Sequence, residues 1–374
     1  MRVLVTGGAG FIGTHLVRRL VREGCDVTVL DNLNPQVHGG YEIGARFDPS
    51  VRVVVADIAN GPELAEALKG QDVIVHLAAE TGTGQSMYAV HQYERVNGLG
   101  TARLLDFLVN SQERHVSKLV VASSRAIYGE GKYHCIHHGT VYPSERSVDA
   151  MAEGKFDPCC PVCNQACEVL PTDEGSPANP ISFYGLTKFM QERSVLMFAR
   201  TLGISGFALR YQNVYGPGQS LSNPYTGILA IFSTLARRGD SLNIFEDGRE
   251  SRDFVYIDDV VEATWRCVDS AHSGIEVVNV GSGQPTTVKE VARFICEFFS
   301  STSTIRVSGG FRKGDIRHNV ADVAKSKAIL GFEPAWGFRK GVSAFLEWAS
   351  TQGRMGNDYS RSMFELTSRG LYRE

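Results

Sequence analysis

Apolar residues run along this chain in short strand-like bursts, separated by glycine turns and by stretches with a helical period. Residues 2–6 form the first burst, Arg-Val-Leu-Val-Thr. Ile12, Leu16, Leu20 and Val21 then recur at helical spacing, which predicts an amphipathic helix over 11–23. Further bursts predict strands at 26–30, 51–56, 72–77 and 118–122, with helical stretches such as 62–68 and 98–109 between them. Strict alternation of strand and helix implies a parallel, doubly wound sheet in an α/β fold. The pattern fails from 129 to 180, where Pro, Gly, Cys and His abound without a period. A loop of that length inside a compact domain needs a function or a staple. A helix over 182–202 and a strand over 206–211 follow. The chain beyond mixes short strands and helices and reads as a smaller α+β domain.

The expected organisation is a Rossmann-type domain over 1–210, interrupted at about 130–180, and a second domain over 211–350. Part of the latter, about 253–270, is expected to return to the first domain. Residues 351–374 read as a polar tail, either mobile or a docking arm. Composition adds bounds. Of 374 residues, 43% are hydrophobic and 21% charged, with a net charge of -3 and no run of Lys or Arg. That balance suggests neither a nucleic-acid nor a membrane partner. No apolar run approaches the roughly 18 residues of a membrane span. The N-terminus enters a strand at once instead of a signal sequence, so a cytoplasmic protein is expected.

Three features carry chemistry. Gly7, Gly10 and Gly13 stand where the first strand turns into the first helix. Glycines there let the backbone approach a pyrophosphate, which rests on the helix N-terminus. Asp31 closes the second strand, placed to accept hydrogen bonds from an adenosine ribose and to repel a 2′-phosphate. No Arg or Lys follows it closely, so the reading is NAD, not NADP. Second, Tyr184 and Lys188 lie four residues apart on one helix face. A nearby ammonium lowers a phenol's pKa, which fits the tyrosine to deprotonate an alcohol. Third, Ser124 ends the fifth strand, at the edge where such sheets bind ligands.

Together these residues resemble the extended short-chain dehydrogenase/reductase family, in its nucleotide-sugar epimerase/dehydratase branch. The resemblance spans residues 1 to about 350. It is carried by the run Thr6 to Gly13, Asp57-Ile58, His76-Leu77-Ala78-Ala79, Asn97, Ser123-Ser124, Tyr184 with Lys188, Arg210 to Pro217, Arg252-Asp253-Phe254-Val255 and Gly314-Asp315-Ile316-Arg317. It implies that Phe11, Ile12, Asn32, Asp57, Ile58, Leu77, Ala78, Ala79, Asn97 and Tyr211 help bind the cofactor, and that Lys188 holds its nicotinamide ribose. It implies that Ser124 and Tyr184 act on the sugar. Asn213 and Arg252 would hold the nucleoside diphosphate, with Arg317 or Arg312 as a second phosphate contact. It also implies a homodimer and a tightly bound NAD.

Two departures narrow the reading. The branch's 4,6-dehydratases carry an Asp-Glu pair after the serine, whereas this chain has Arg125-Ala126, which cannot act as general acid and base. A nucleotide-sugar 4-epimerase, which needs one base and one reversible hydride carrier, fits better. UDP-hexose or UDP-uronate 4-epimerases, a 4-keto reductase and a non-catalytic NAD-binding scaffold are the competing readings. The last of these is disfavoured because Ser124, Tyr184 and Lys188 are all present. The second departure is the interruption itself, since Tyr184 follows Ser124 by 60 residues. Five of the eight cysteines fall within it. Cys135, His138, Cys160 and Cys163 have the paired spacing of a structural zinc site, with His134, His137, Cys159 and Cys167 as competing ligands. A Cys/His insertion at this place is similar to that of the subgroup containing dTDP-L-rhamnose 4-epimerases. This similarity implies dTDP-L-rhamnose as substrate and dTDP-6-deoxy-L-talose as product.

Overall fold

In the computed structural model the early apolar bursts become parallel strands β1 (Arg2–Thr6), β2 (Asp26–Asp31), β3 (Arg52–Val55), β4 (Val73–His76) and β5 (Lys118–Ser124). The structure describes residues 1–38, 47–111, 115–223, 225, 227–353 and 359–374. Two further strands, Ser205–Tyr211 and Ile275–Val280, extend the sheet beyond β5. Across the sheet the order is Ile275–Val280, Ser205–Tyr211, β5, β4, β1, β2, β3, and every pairing is parallel. Successive residues of a strand face opposite sides, so β1 feeds two cores. Val3 and Val5 pack with Leu16 and Leu20 of helix α1 (Phe11–Arg22), whereas Leu4 packs with Leu64, Leu104 and Val195 on the other side. Strand order reverses between β1 and β4, and a ligand crevice belongs at the carboxyl ends there.

The last sheet strand, Ile275–Val280, belongs to the second half of the chain, as does the helix Ile257–Asp269 that packs on α1. The segment returning to the first sheet therefore runs past the expected 253–270. Lys118 secures this return. Its buried ammonium donates to the carbonyls of Cys267, Val268 and Ser270 at 2.6–2.9 Å, capping the C-terminal end of that helix. The helix expected over 98–109 starts earlier, as a π-helical turn Glu94–Gly100 that continues into Thr101–Asn110. Asn97 and Thr101, both buried and polar, make tertiary hydrogen bonds from this stretch.

The smaller domain gathers helices Ile228–Arg238, Val288–Phe298 and Phe338–Thr351 around short strands. One of these, Ser251–Tyr256, pairs with Asn213–Tyr215 on one edge and with Pro285–Thr287 on the other. The aperiodic segment is not structureless. Gly139–Val141, Tyr133–Cys135 and Glu168–Val169 form a small antiparallel sheet, with a helical turn Val148–Ala152 beside it. Of the polar tail, residues 354–358 lie outside the described residues. The remainder folds as a helix, Tyr359–Ser368, and a strand, Tyr372–Arg373, that pairs with Phe311–Arg312. Leu366 and Tyr372 are buried there, and the tail is an arm docked across both domains, with Glu365 on Tyr88 of the first and Tyr372 on Arg312 of the second. Among the described residues no helix is long and apolar enough to cross a membrane.

Candidate active site

One cavity of about 1050 Å³ runs from the carboxyl ends of β1, β2 and β4, past β5, into the smaller domain. At its first end Gly7 makes the turn out of β1 with φ +70°, and a Cβ there would come within 2.7 Å of the Ala78 backbone nitrogen. The chain can close this tightly only without a side chain. The N-terminus of α1 then faces the cavity with no side-chain cap and no acid in its first turn, which leaves its N–H groups for an anion. Asp31 sits beside it. Its carboxylate accepts from the backbone of Ala9 at 3.0 Å and Leu33 at 2.9 Å, which fixes the group at the rim. Ile12, Asn32, Ile58, Leu77, Ala78 and Ala79 line the same end. These features fit an adenine dinucleotide: glycine cradle, open helix terminus, ribose-reading carboxylate and apolar flanks.

The middle of the cavity holds the candidate chemistry. Ser182 caps the helix Phe183–Thr201 by accepting from the Gly185 amide at 3.1 Å. Gly185 lets that helix touch the turn after β5, because a Cβ there would lie 2.5 Å from the Ala126 carbonyl oxygen. The contact brings Tyr184 near Ser124, whose hydroxyl acts on the phenol. Lys188, one turn on, is buried and donates to Gln191 Oε1 at 2.7 Å. Burial pushes the Tyr184 phenol up, and the Ser124 hydrogen bond and the Arg125 charge oppose that shift without cancelling it. Burial also brings the Lys188 ammonium down to about 7, against the pull of Glu192. The phenol is thus raised, not lowered as the Tyr-Lys spacing suggests. Desolvation of the phenol outweighs what Ser124 and Arg125 supply.

At the far end, Asp315 organises a basic wall. Arg252 donates to one of its oxygens at 3.3 Å and Arg312 to the other at 2.9 Å. Burial alone would raise the Asp315 carboxyl, but Arg312 and Arg252 hold it well below the usual range. Asn213 faces the same space. The Nδ2 of Asn213 and the Nε of Arg312 are buried and have no hydrogen-bond partner among the described residues, two donors that an oxygen-rich ligand would satisfy.

The structure brings most of the expected residues to this cavity: Gly7, Gly10, Phe11, Ile12, Gly13, Asp31, Asn32, Ile58, Leu77, Ala78, Ala79, Ser124, Tyr184, Lys188, Tyr211, Asn213 and Arg252. Three are not among its lining residues. Asp57 stands behind Ile58, paired with Arg95 at 2.8 Å. Asn97 is fully buried and ties the Glu80 backbone to Thr187, so it positions the wall without forming it. Arg317, expected at a phosphate, is wholly buried, and its guanidinium is held by Asp157, Glu246 and Asp247 at 2.7–2.9 Å. Its competitor Arg312 occupies the cavity wall instead. Nothing in the spacing of Arg312, Asp315 and Arg317 separates them, since the choice depends on acids some 70 and 160 residues away. Sequence reasoning left the tail open between a mobile segment and a docking arm and missed that its Tyr359, Ser362, Met363 and Leu366 line the cavity. No local pattern distinguishes them from a solvated tail.

In the insertion, the small antiparallel sheet and the segment between its strands gather Cys135, His138, Cys160 and Cys163, whose ligand atoms all lie within 4.8 Å of one another. Cys135 Sγ is 3.6 Å from both His138 Nδ1 and Cys163 Sγ, and Cys160 Sγ is 3.6 Å from His138 Nδ1. Of the competing ligands, Cys159 and Cys167 turn to the carbonyls of Asp157 and Gln165, and His134 and His137 are exposed.

Residues 3–148 and 160–281 match the model of the NAD dependent epimerase/dehydratase family. A dTDP-L-rhamnose 4-epimerase of Burkholderia thailandensis is 37% identical over 355 residues, covering 94% of this chain and 95% of the relative. Among solved structures, a UDP-glucose 4-epimerase from Thermotoga maritima with UDP-glucose is 29% identical, with a TM-score of 0.75 and coverage of 94% and 99%. A UDP-glucose 4-epimerase of Thermus thermophilus in complex with NAD is 28% identical, with a TM-score of 0.74 and coverage of 94% and 100%.

The displaced Lys188 pKa has a signed consequence for stability. Its folded value of about 7 lies below the ordinary 10.5, so the unfolded chain binds more protons between those values. The cost of burying the ammonium is therefore full below pH 7 and fades as pH rises to about 10.5. In cofactor-free protein, Lys188→Met is expected to raise the denaturation midpoint over wild type most at pH 6, with the gap closing by pH 10. A gap that does not change with pH would show that Lys188 titrates normally.

Proposed function

The chain belongs to the NAD dependent epimerase/dehydratase family, and from that premise we propose that it is an NAD-dependent nucleotide-sugar 4-epimerase. The observation that carries the reading is the meeting of Ser124, Tyr184 and Lys188 in the middle of a cavity with a dinucleotide cradle at one end and a basic wall at the other. Positions 125 and 126, where a dehydratase needs an acid and a base, hold Arg and Ala. The glycine turn and the N-terminus of α1 would receive the pyrophosphate, Asp31 the adenosine ribose, and Lys188 the nicotinamide ribose. Bound NAD supplies a reversible hydride acceptor, on a cationic ring that favours a phenolate beside it. Ser124 Oγ holds the C4 hydroxyl of the sugar, and Tyr184 Oη takes its proton as the carbon is oxidised. The 4-keto sugar turns over about its diphosphate, anchored by Asn213, Arg252 and Arg312. Tyr184 then returns the proton to the oxygen on the inverted carbon. The hydrogens removed are restored, so the sugar undergoes no net redox change.

The Burkholderia relative supports dTDP-L-rhamnose as substrate and dTDP-6-deoxy-L-talose as product. The Thermotoga neighbour, solved with UDP-glucose, supports a UDP-hexose as the second reading. Two further assignments belong here. Cys135, His138, Cys160 and Cys163 are proposed to hold a structural zinc. Zinc-to-sulfur bonds of about 2.3 Å and zinc-to-nitrogen bonds of about 2.0 Å put tetrahedral ligands roughly 3.5–3.8 Å apart, and the spacing of 3.6 Å fits. Four protein ligands leave no open position for catalysis. A homodimer is proposed to cover the apolar stripe Leu186, Met190 and Met197, which is 38–54% exposed beside Leu99.

Wild-type enzyme incubated with dTDP-L-rhamnose and a panel of UDP-sugars should invert C4, followed by NMR, without consuming added NADH. Stoichiometric NADH oxidation would instead identify a reductase. Tyr184→Phe should lower kcat by about 10²–10⁴ while retaining bound NAD; full activity would remove Tyr184 from the chemistry. Elemental analysis should find one zinc per chain in wild type and far less in Cys160→Ser, which should also melt earlier. A metal-free wild type that melts normally would overturn the zinc assignment. Light scattering should give twice the chain mass of 40.9 kDa; a monomer across the working concentration range would exclude the dimer.

A further inference from the structure

Arg125 follows Ser124 directly and opens the 3-10 turn Arg125–Tyr128. Its side chain forms part of the cavity wall. The Nε donates to Asn213 Oδ1 at 2.9 Å, which fixes the plane of the guanidinium. The Nη1 is buried and has no hydrogen-bond partner among the described residues. A buried, unmet N–H on a charged group is rare and calls for a partner that the protein itself does not provide. The setting sharpens the point. Burial and the like charge of Arg252 bring this guanidinium down to about 10, still charged at neutral pH. A second arginine beside the first is unfavourable unless an oxygen ligand comes to both.

Which part of the ligand Arg125 meets follows from its neighbours. Asp315 grips Arg252 and Arg312, whereas Arg125 has no acid bonded to it among the described residues and is steered by Asn213. Arg252 and Tyr184 are both near enough for their charges to act on Arg125, and the phenol and the guanidinium influence each other's ionisation. Arg125 is bonded to Asn213 of the basic wall and lines the same cavity as Tyr184, so a hexose held there is within its reach if the 4-epimerase reading holds.

Resting on that reading, we propose that Arg125 is a further substrate-binding residue: Nη1 donates to a hydroxyl or keto oxygen of the hexose, and its charge favours negative charge on Tyr184 Oη. The groups that act on that phenol are Ser124 and Arg125 from the end of β5, with the Tyr93 ring edge-on at 6.4 Å, while Lys188, one turn on along its own helix, donates to Gln191. Arg125 is the cation whose charge acts on the phenol. A methionine at 125 keeps the bulk and loses both effects, and a lysine keeps the charge but not the planar fork.

The test uses the enzyme as purified with its NAD. Calorimetry compares binding of dTDP with that of dTDP-L-rhamnose, or of UDP with a UDP-sugar if wild type prefers that nucleotide. Arg125→Met is expected to weaken the nucleotide sugar at least tenfold while changing the bare diphosphate less than twofold. The acid limb of its kcat profile should move to higher pH, and Arg125→Lys should restore the limb without the sugar affinity. Equal losses for diphosphate and sugar would make Arg125 a phosphate ligand and overturn the proposal. Unchanged sugar affinity would reduce Arg125 to a prop for Asn213 and overturn it too. If wild type inverts no sugar tested, the epimerase reading fails by itself, and the binding comparison still decides whether Arg125 reads the hexose. Bound NAD and the melting temperature, unchanged in both variants, confirm that the fold is intact.

Discussion

Glu192 has no exposed surface, yet its carboxylate accepts from Ser123 Oγ at 2.6 Å and from Arg210 twice, at 3.0 and 2.6 Å. Those bonds join three elements that carry the candidate chemistry. Ser123 precedes Ser124 on β5, Arg210 precedes Tyr211 on the neighbouring strand, and Glu192 lies one turn beyond Lys188 on the Tyr184 helix. A buried carboxylate is tolerated only when its oxygens are met by donors and its charge is matched. The helix therefore has one seat on the sheet in which Glu192 is satisfied, and that seat sets Tyr184 against Ser124. Arg210 extends the clamp by donating to Tyr128 Oη at 2.8 Å, which in turn donates to Asn279 on the outermost strand.

The same burial that fixes the geometry sets the electrostatics. Tyr184 and Lys188 are desolvated together, so each is displaced towards its neutral form. In that state the tyrosine holds its proton, and the pair favours transfer only when positive charge is added near the phenol. Arg125 is the protein's own contribution at that place, and a cationic nicotinamide ring would be the ligand's. Left to its own residues, the phenol is therefore a weak base at neutral pH.

The parallel sheet and the cofactor cradle were legible in the sequence because both are local. A strand of Arg2–Thr6, a glycine turn and an acid at the next strand end lie within 31 residues, and each has its own period or residue type. The meeting of Ser124, Tyr184 and Lys188 in one cavity was legible for the same reason, as a strand end and a helical spacing. The basic wall was not. Arg252, Arg312 and Arg317 look alike in sequence, and only the acids that fold against them decide which are neutralised. Arg317 meets Glu246 and Asp247 from one loop and Asp157 from the insertion, so it is internal; Arg312 meets Asp315 alone and keeps one donor free. Whether the tail docks was left open for a related cause, since Leu366 is buried only because distant residues cover it.

The internal role of Arg317 explains how the insertion bears on the cavity. Glu130 takes the Arg317 backbone amide at 2.9 Å and the Arg146 side chain at 2.9 Å, while Asp157 takes the Arg317 guanidinium. Glu130 enters the first strand of the small sheet, and Asp157 comes three residues before Cys160. Both chain segments leading to the Cys/His cluster thus end on one arginine. Arg146 completes the link by donating to the Asp315 carbonyl at 2.9 Å, directly beneath the carboxylate that holds Arg252 and Arg312. A buried network of this kind is costly when half satisfied and rigid when complete. Anything that secures the cluster therefore stiffens the basic wall, and a displacement of the insertion reaches the arginines before it reaches the glycine cradle. The geometry makes the insertion a support for the sugar-diphosphate end of the cavity and leaves the cofactor end to the sheet.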